Sequence, residues 1–202
     1  MIKNLIFDFG KVLVDYDFEA FFTANISDEQ RRMDFVDIIY RDDIQREMDL
    51  ALTPLSEFFD RLIAKHPDFN AEIRFFDEHF HEIVTNEMPG MRELLLRFKS
   101  QGYSLYGLSN WCTKVYHTME QFPIFGLLDG RVISSEEHVV KPDPEIYNIL
   151  FSRYDLKPEE CVFADDRAEN IAMAERLGMR SVLFTTAHDY EKQLIFIVED
   201  YK

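Results

Sequence analysis

Apolar residues along this chain fall into short, nearly unbroken runs, and between the later runs lie segments of helix length. Runs rich in β-branched and aromatic residues occupy 5–9, 103–108, 131–134, 161–164 and 181–185. These predict buried strands. Helical segments are expected at 89–100, 114–121, 144–154 and 168–177. Proline falls in the first turn of two of them, and Gly102 and Gly178 lie just past the ends of two. Strands alternating with helices imply a parallel sheet covered on both faces and joined by right-handed crossovers. The fold class read from this pattern is α/β, a Rossmann-like doubly wound parallel sheet.

The stretch 18–87 breaks the alternation, because it carries helical periodicity and no convincing strand. It reads as a small helical cap inserted after the first strand, with residues 1–17 plus 88–202 forming the core. Ser27 with Gln30 three residues on makes a capping box, and Thr53-Pro54 puts a cap before a proline at a helix start. Joined by two connections, such an insertion is suited to act as a lid over whatever the first strand presents.

Composition narrows the function. The chain has 202 residues with 38 acidic and 22 basic side chains, a net charge of −16, so nucleic acid and anionic membranes are poor partners. A length of 202 residues accommodates one core plus an insertion. The cysteines Cys112 and Cys161 lie far apart beside apolar runs, which favours reduced, packed thiols and a cytoplasmic setting. No apolar window reaches a membrane span, and the first nine residues are too short for a signal peptide. The acidic surface favours a monomer.

Ligands of an open parallel sheet bind beyond the carboxyl ends of its strands, so polar residues placed there carry the candidate chemistry. Asp8 ends the first strand, Ser109-Asn110 follow the second, Lys141 lies in the loop after the third and Asp165-Asp166 end the fourth. A lone carboxylate, a hydroxyl, an ammonium and an acidic pair suit a divalent cation beside an anion.

Read together, D-F-G-K-V, L-S-N, the lysine of V-K-P-D-P-E-I-Y, and A-D-D-R-A-E-N-I resemble, in order and spacing, the four motifs of the haloacid dehalogenase-like hydrolase superfamily. The resemblance implies a phosphatase in which Asp8 is the nucleophile and forms an aspartyl-phosphate. It implies that Ser109, Asn110 and Lys141 serve the phosphoryl group, and that Mg²⁺ is held by Asp8, Asp166, Asp165 and the Gly10 carbonyl. The substrate class would be a small phosphorylated metabolite. The charges agree, since three carboxylates against Lys141 and a magnesium ion bring the loaded site close to neutrality. Asn170, a turn beyond Asp166, is a candidate to position it.

One position departs from the pattern. Phosphatases of this superfamily usually carry a second Asp two residues after the nucleophile, to protonate the leaving group and activate water, and here that residue is Gly10. Either the substrate leaves easily, as a sugar 1-phosphate does, or Asp15, Asp17 or a water held by the cap supplies the proton. The D-x-G-x-V form followed by V-D-Y-D-F resembles the bacterial glucose 1-phosphate phosphatases, which share the missing Asp and support the first explanation. Rival readings are a dehalogenase, whose members typically carry Tyr where Gly10 stands, and a non-catalytic phosphate-binding protein. A receiver-type signalling module also uses an acidic pair, a phospho-accepting Asp and a lysine, but there the pair comes first in sequence. His79 and His81, two apart on a helix, point to different faces, and no zinc is expected. Trp111 either shapes the pocket or packs under the cap.

Overall fold

The computed structural model describes residues 1–199. In chain order they begin with β1 (Asn4–Phe7) and β2 (Val14–Tyr16), then α1 (Phe18–Asn25), α2 (Glu29–Ile39), α3 (Asp42–Leu50), α4 (Leu55–Lys65), α5 (Asn70–His79) and β3 (Val84–Glu87). The chain continues through α6 (Met91–Ser100), β4 (Ser104–Ser109), α7 (Val115–Gln121), β5 (Gly130–Ile133), the single turn α8 (Ser134–Glu137) and α9 (Pro144–Tyr154). It closes with β6 (Cys161–Asp165), α10 (Ala168–Arg176), β7 (Arg180–Leu183) and α11 (Ala187–Glu199).

Five of the strands form one parallel sheet in the order β5-β4-β1-β6-β7. The first strand is therefore central. Chain order runs outward from it to β5 on one side and to β7 on the other, so the switch point of the topology lies between β1 and β6. Alternate residues of these strands enter different cores, which is why they read as continuous apolar runs. Leu5, Phe7, Val162 and Ala164 join a larger cluster with α6 and α11, while Ile6, Cys161 and Phe163 join a smaller one with α9 and α10. Gly102 and Gly178 follow α6 and α10 with φ of 89° and 93°, the left-handed closing residue expected of each helix.

The larger cluster continues into the helical stretch between β2 and β3. Its centre is Phe76, fully buried, whose ring meets those of Phe18, Phe22, Phe35, Phe59 and Phe80 at centroid separations of 5.4 to 6.4 Å. Edge-on and tilted arrangements of this kind add to the burial of the rings themselves.

Three expectations need correction, and one helix goes unforeseen. The stretch 18–87 is not wholly helical, because β3 pairs antiparallel with β2 through Val14↔Glu87, Asp15↔Asn86 and Tyr16↔Val84. The two connections to the helices thus brace each other, and the strands are too short and too polar, VDY and VTNE, to show as apolar runs. The cap of α2 is Asp28 rather than Ser27, its carboxylate accepting the Arg31 N–H at 2.8 Å. Pro54 precedes α4 instead of entering its first turn, and the Thr53 hydroxyl bonds Arg61 Nη2 at 3.1 Å. The final helix α11, which buries Tyr190 and Leu194, had no counterpart in the sequence pattern.

Candidate active site

Parallel pairing of Phe7 with Ala164 brings Asp8, the residue after β1, beside Asp165, the last of β6. The side chain of Lys141 ties the two together from below. Its Nζ lies 3.0 Å from Asp8 Oδ1, 2.7 Å from Asp165 Oδ2 and 2.8 Å from the Leu108 carbonyl oxygen. An ammonium has three N–H donors, so its capacity is filled by two carboxylates and the penultimate carbonyl of β4. Asn110 fixes the loop that carries it: Oδ1 accepts the Lys141 N–H at 2.7 Å, and Nδ2 donates to the Lys141 carbonyl at 2.9 Å. The Asn110 amide, expected among the substrate contacts, holds the Lys141 backbone, and the residue also lines the cavity above the site.

Asp165 is wholly buried and fully bonded. Its Oδ1 accepts the Arg167 N–H at 2.8 Å, and Asn170 Nδ2 lies 3.0 Å from each of its oxygens. Asn170, read from sequence as a partner of Asp166, therefore serves Asp165, because α10 begins after Arg167 and turns its first buried residue toward the strand end. Asp166 is the exposed member of the acidic pair. One oxygen each from Asp8, Asp165 and Asp166 lie within 4.8 Å of one another, a donor set of hard oxygens fitted to a small divalent cation. His79 and His81 take no part: the first stacks on Phe75 and the second lies against His117.

The crowding leaves an electrostatic mark. Burial raises the Asp8 pKa, Lys141 opposes that rise and Asp165 adds to it. Asp166 is raised by burial and then by Asp165. For Lys141 burial disfavours the charge, but Asp165 and Asp8 overcome it and lift the pKa above that of a free lysine. The ammonium thus stays charged while the carboxylates around it share more negative charge than it can neutralise.

Above these groups opens a cavity of about 290 Å³. Asp8, Lys141 and Asp166 belong to its sheet side, while Tyr40, Gln45 and Asp49 reach it from the helical stretch. Two residues of its lining hold buried donors without a hydrogen-bond partner of normal geometry among the described residues, Ser109 Oγ and Trp111 Nε1, although the serine approaches Asp8 closely enough to favour its charged form. Trp111 lines the cavity, the first of the two readings open to it from sequence, and its ring packs 6.4 Å from that of Phe9, a residue of the core.

The proton donors weighed from sequence are placed elsewhere. Asp15 pairs with Lys11 Nζ at 2.6 Å, and Asp17 caps α1 by accepting the Ala20 N–H at 2.8 Å. Neither lines the cavity; Gly10 does. The carboxylate that sequence reasoning missed is Asp49. A signal was present, since Gln45 and Asp49 are one turn apart in α3, next to the buried stripe of Ile44 and Met48.

A parallel sheet whose switch point gathers three carboxylates, two of them joined by one buried lysine, beneath a cavity that residues of the helical stretch also line, is the architecture of an α/β hydrolase. Residues 2–178 match the haloacid dehalogenase-like hydrolases, and the chain belongs to that family. It is 26% identical to a D-ribitol-5-phosphate phosphatase of Bacteroides thetaiotaomicron, covering 98% of this chain and 99% of the relative. It is 25% identical to a glyceraldehyde 3-phosphate phosphatase of Pyrococcus furiosus, covering 91% of this chain and 80% of that one. Among solved structures, a haloacid dehalogenase family enzyme of B. thetaiotaomicron in complex with magnesium and inorganic phosphate superposes with a TM-score of 0.75 at 21% identity, over 93% of this chain and 96% of the other. A dehalogenase shares the fold at a TM-score of 0.65 and 17% identity, over 94% and 89% of the two chains.

Proposed function

We propose that this protein is a magnesium-dependent phosphatase of a small phosphorylated sugar or polyol, working through an aspartyl-phosphate on Asp8. The observation that carries the reading is the buried Asp8–Lys141–Asp165 link with Asp166 beside it, at the base of a small cavity. Lys141 offsets one of three negative charges, and the nearby Arg167 guanidinium pairs with Glu169. The remaining charge calls for a cation, and hard oxygen ligands suit Mg²⁺. Asp8, Asp166 and the Gly10 carbonyl would hold it. Asp165, engaged by Lys141, Arg167 and Asn170, would act by orienting the others. The ion would supply charge neutralisation at the phosphoryl oxygens.

The residues' own part then follows. Lys141 keeps Asp8 fixed and favours its anionic form, so that an Asp8 oxygen attacks phosphorus while the bond from phosphorus to the substrate oxygen breaks. The Trp111 N–H, without a partner among the described residues, and the Ser109 hydroxyl beside Asp8 are donors suited to an incoming phosphate. Water then attacks the aspartyl-phosphate, releasing phosphate and restoring Asp8. The stretch 18–87 acts as the cap that encloses the substrate, with residues 1–17 and 88–199 as core. Relatives named for D-ribitol 5-phosphate and glyceraldehyde 3-phosphate support phosphorylated polyols and sugars as the substrate class. Glucose 1-phosphate represents the substrate implied by a missing acid at position 10.

The test is phosphate release from D-ribitol 5-phosphate, glyceraldehyde 3-phosphate and glucose 1-phosphate, with and without magnesium, comparing wild type with Asp8→Asn. Release that needs both the metal and Asp8 is expected. Release by the Asp8→Asn protein at the wild-type rate would overturn the mechanism. Preference for glucose 1-phosphate alone would restore the easy-leaving-group account.

A further inference from the structure

A phosphatase of alkyl phosphates must protonate the departing alkoxide, and Gly10 offers no group to do so. This inference rests on the proposed phosphatase reading and deepens it. Asp15 and Asp17 are engaged in an ion pair and a helix cap outside the cavity. Tyr16 lines the cavity, but burial and the negative charges of Asp166 and Asp8 push its phenol far above neutral values. Among the described residues, the carboxylates lining the cavity are Asp8, Asp166 and Asp49, and the first two belong to the cation cluster.

We infer that Asp49, carried on α3 from the helical stretch, is the general acid and base that replaces the missing residue at position 10. Its carboxylate makes no hydrogen bond or ion pair among the described residues, and it lines the same cavity as Asp8. Its backbone is held by the core: Ser134 Oγ donates to the Asp49 carbonyl at 2.8 Å and accepts the Trp111 N–H at 3.0 Å. The His138 ring bonds the next carbonyl, that of Leu50, through Nδ1 at 2.8 Å. The group is thus fixed from the residues that follow the second and third sheet strands of the chain, as a proton donor for a defined leaving atom must be.

Its surroundings suit both halves of the task. Burial pushes the Asp49 carboxyl up to about 7, the charge of Asp8 adds to the rise, and Lys141 and Arg167 oppose it. The other polar groups reaching the cavity from this stretch, Gln45 and Tyr40, are neutral near that pH. In the first step the Asp49 proton passes to the substrate oxygen as its bond to phosphorus breaks and the bond from Asp8 to phosphorus forms. In the second, the Asp49 carboxylate takes a proton from the water whose oxygen attacks phosphorus, and Asp8 departs as carboxylate.

Leaving-group dependence separates this role from a structural one. Asp49→Asn should slow hydrolysis of D-ribitol 5-phosphate, or of whichever alkyl phosphate in the panel is best used, by ~10²–10⁴-fold in kcat. It should leave formation of the aspartyl-phosphate from 4-nitrophenyl phosphate, whose phenolate needs no proton, close to wild type in a burst measurement. Asp49→Glu should restore part of the alkyl phosphate rate, and both variants should melt like wild type. Equal losses with the two substrates, or none with either, would overturn the assignment of Asp49 and leave the phosphatase reading intact. A wild type that releases phosphate from no substrate, with magnesium present, would overturn both.

Discussion

The ring of Tyr16 stands where a side chain on Gly10 would project: a Cβ built at position 10 comes 2.7 Å from Tyr16 Cε1. The glycine and the tyrosine are therefore one packing unit, with the ring held by Phe18 at 5.4 Å and by the Lys11 ammonium at 4.7 Å. Restoring the family's usual acid by Gly10→Asp alone should overpack the site and cost ~1–3 kcal/mol, lowering Tm by several degrees in a chain of this size. Most of that loss should vanish when the same change is made in a Tyr16→Ala background. A double-mutant cycle by thermal melting checks this, and independence of the two changes would show that the ring simply swings aside.

The sheet was legible because strands buried on both faces leave continuous apolar runs, and the polar residue ending each run marks the ligand edge directly. Asp8, Ser109, Lys141 and Asp165 follow from that logic, and the register of β1 with β6 brings the carboxylates together. What stayed hidden depends on contacts between distant segments. Asn110 reads as a substrate contact and Asn170 as a partner of Asp166, but the bonds they make, to the Lys141 backbone and the Asp165 carboxylate, are set by loop geometry. Asp49 lies 41 positions from Asp8 on a helix whose polar face looks solvent-directed until the cavity beneath it is seen. The β2–β3 pair is invisible for the same reason, since neither strand is apolar enough to announce itself before the other is found.

Lys141 is the site's structural keystone as well as its cation. Its side chain is 1% exposed and compensates Asp165, which is 0% exposed, together with Asp8. Replacing it by methionine removes one partner of a buried link and leaves two carboxylates facing each other, a change that typically costs ~3–5 kcal/mol. Lys141→Met should therefore lower the midpoint of urea unfolding strongly and abolish phosphate release. Lys141→Met with Asp165→Asn should recover part of the stability and none of the activity. A single variant as stable as wild type would mean that the carboxylates take up protons at little cost.

A second ion pair braces two helices of the stretch between β2 and β3. Arg31 on α2 holds Glu72 on α5 through two bonds, one of them Nη2 to Oε2 at 2.9 Å, and its guanidinium lies 4.7 Å from the Phe69 ring centroid. The arginine holds the Glu72 carboxyl below its ordinary value of 4.5. A lowered folded pKa means that the stabilisation is complete above the ordinary glutamate range and fades as pH falls through the folded value. Glu72→Gln should thus melt below wild type at pH 7, and the gap should narrow as pH drops beneath about 4.5. A gap that is constant from pH 7 to pH 3 would assign the effect to packing instead of charge.

Magnesium should stabilise the folded protein before any substrate is added. Asp8, Asp165 and Asp166 gather their oxygens within 4.8 Å, and only folding assembles them, since they come from β1 and the end of β6. A ligand that binds the native state alone stabilises it by about 2.7 kcal/mol at a hundredfold excess over Kd. Titrating Mg²⁺ should raise Tm, and EDTA should return it to the metal-free value. Asp166→Asn removes an exposed ligand outside the Lys141 network, so it should abolish the magnesium shift while leaving the metal-free melt near wild type or above it. Asn170→Ala should act differently, lowering the metal-free Tm by releasing the buried Asp165 and weakening magnesium by roughly 10–100-fold through a ligand set no longer held in place. Magnesium shifts of equal size in wild type and Asp166→Asn would place the cation elsewhere and remove the charge argument on which the aspartyl-phosphate mechanism stands.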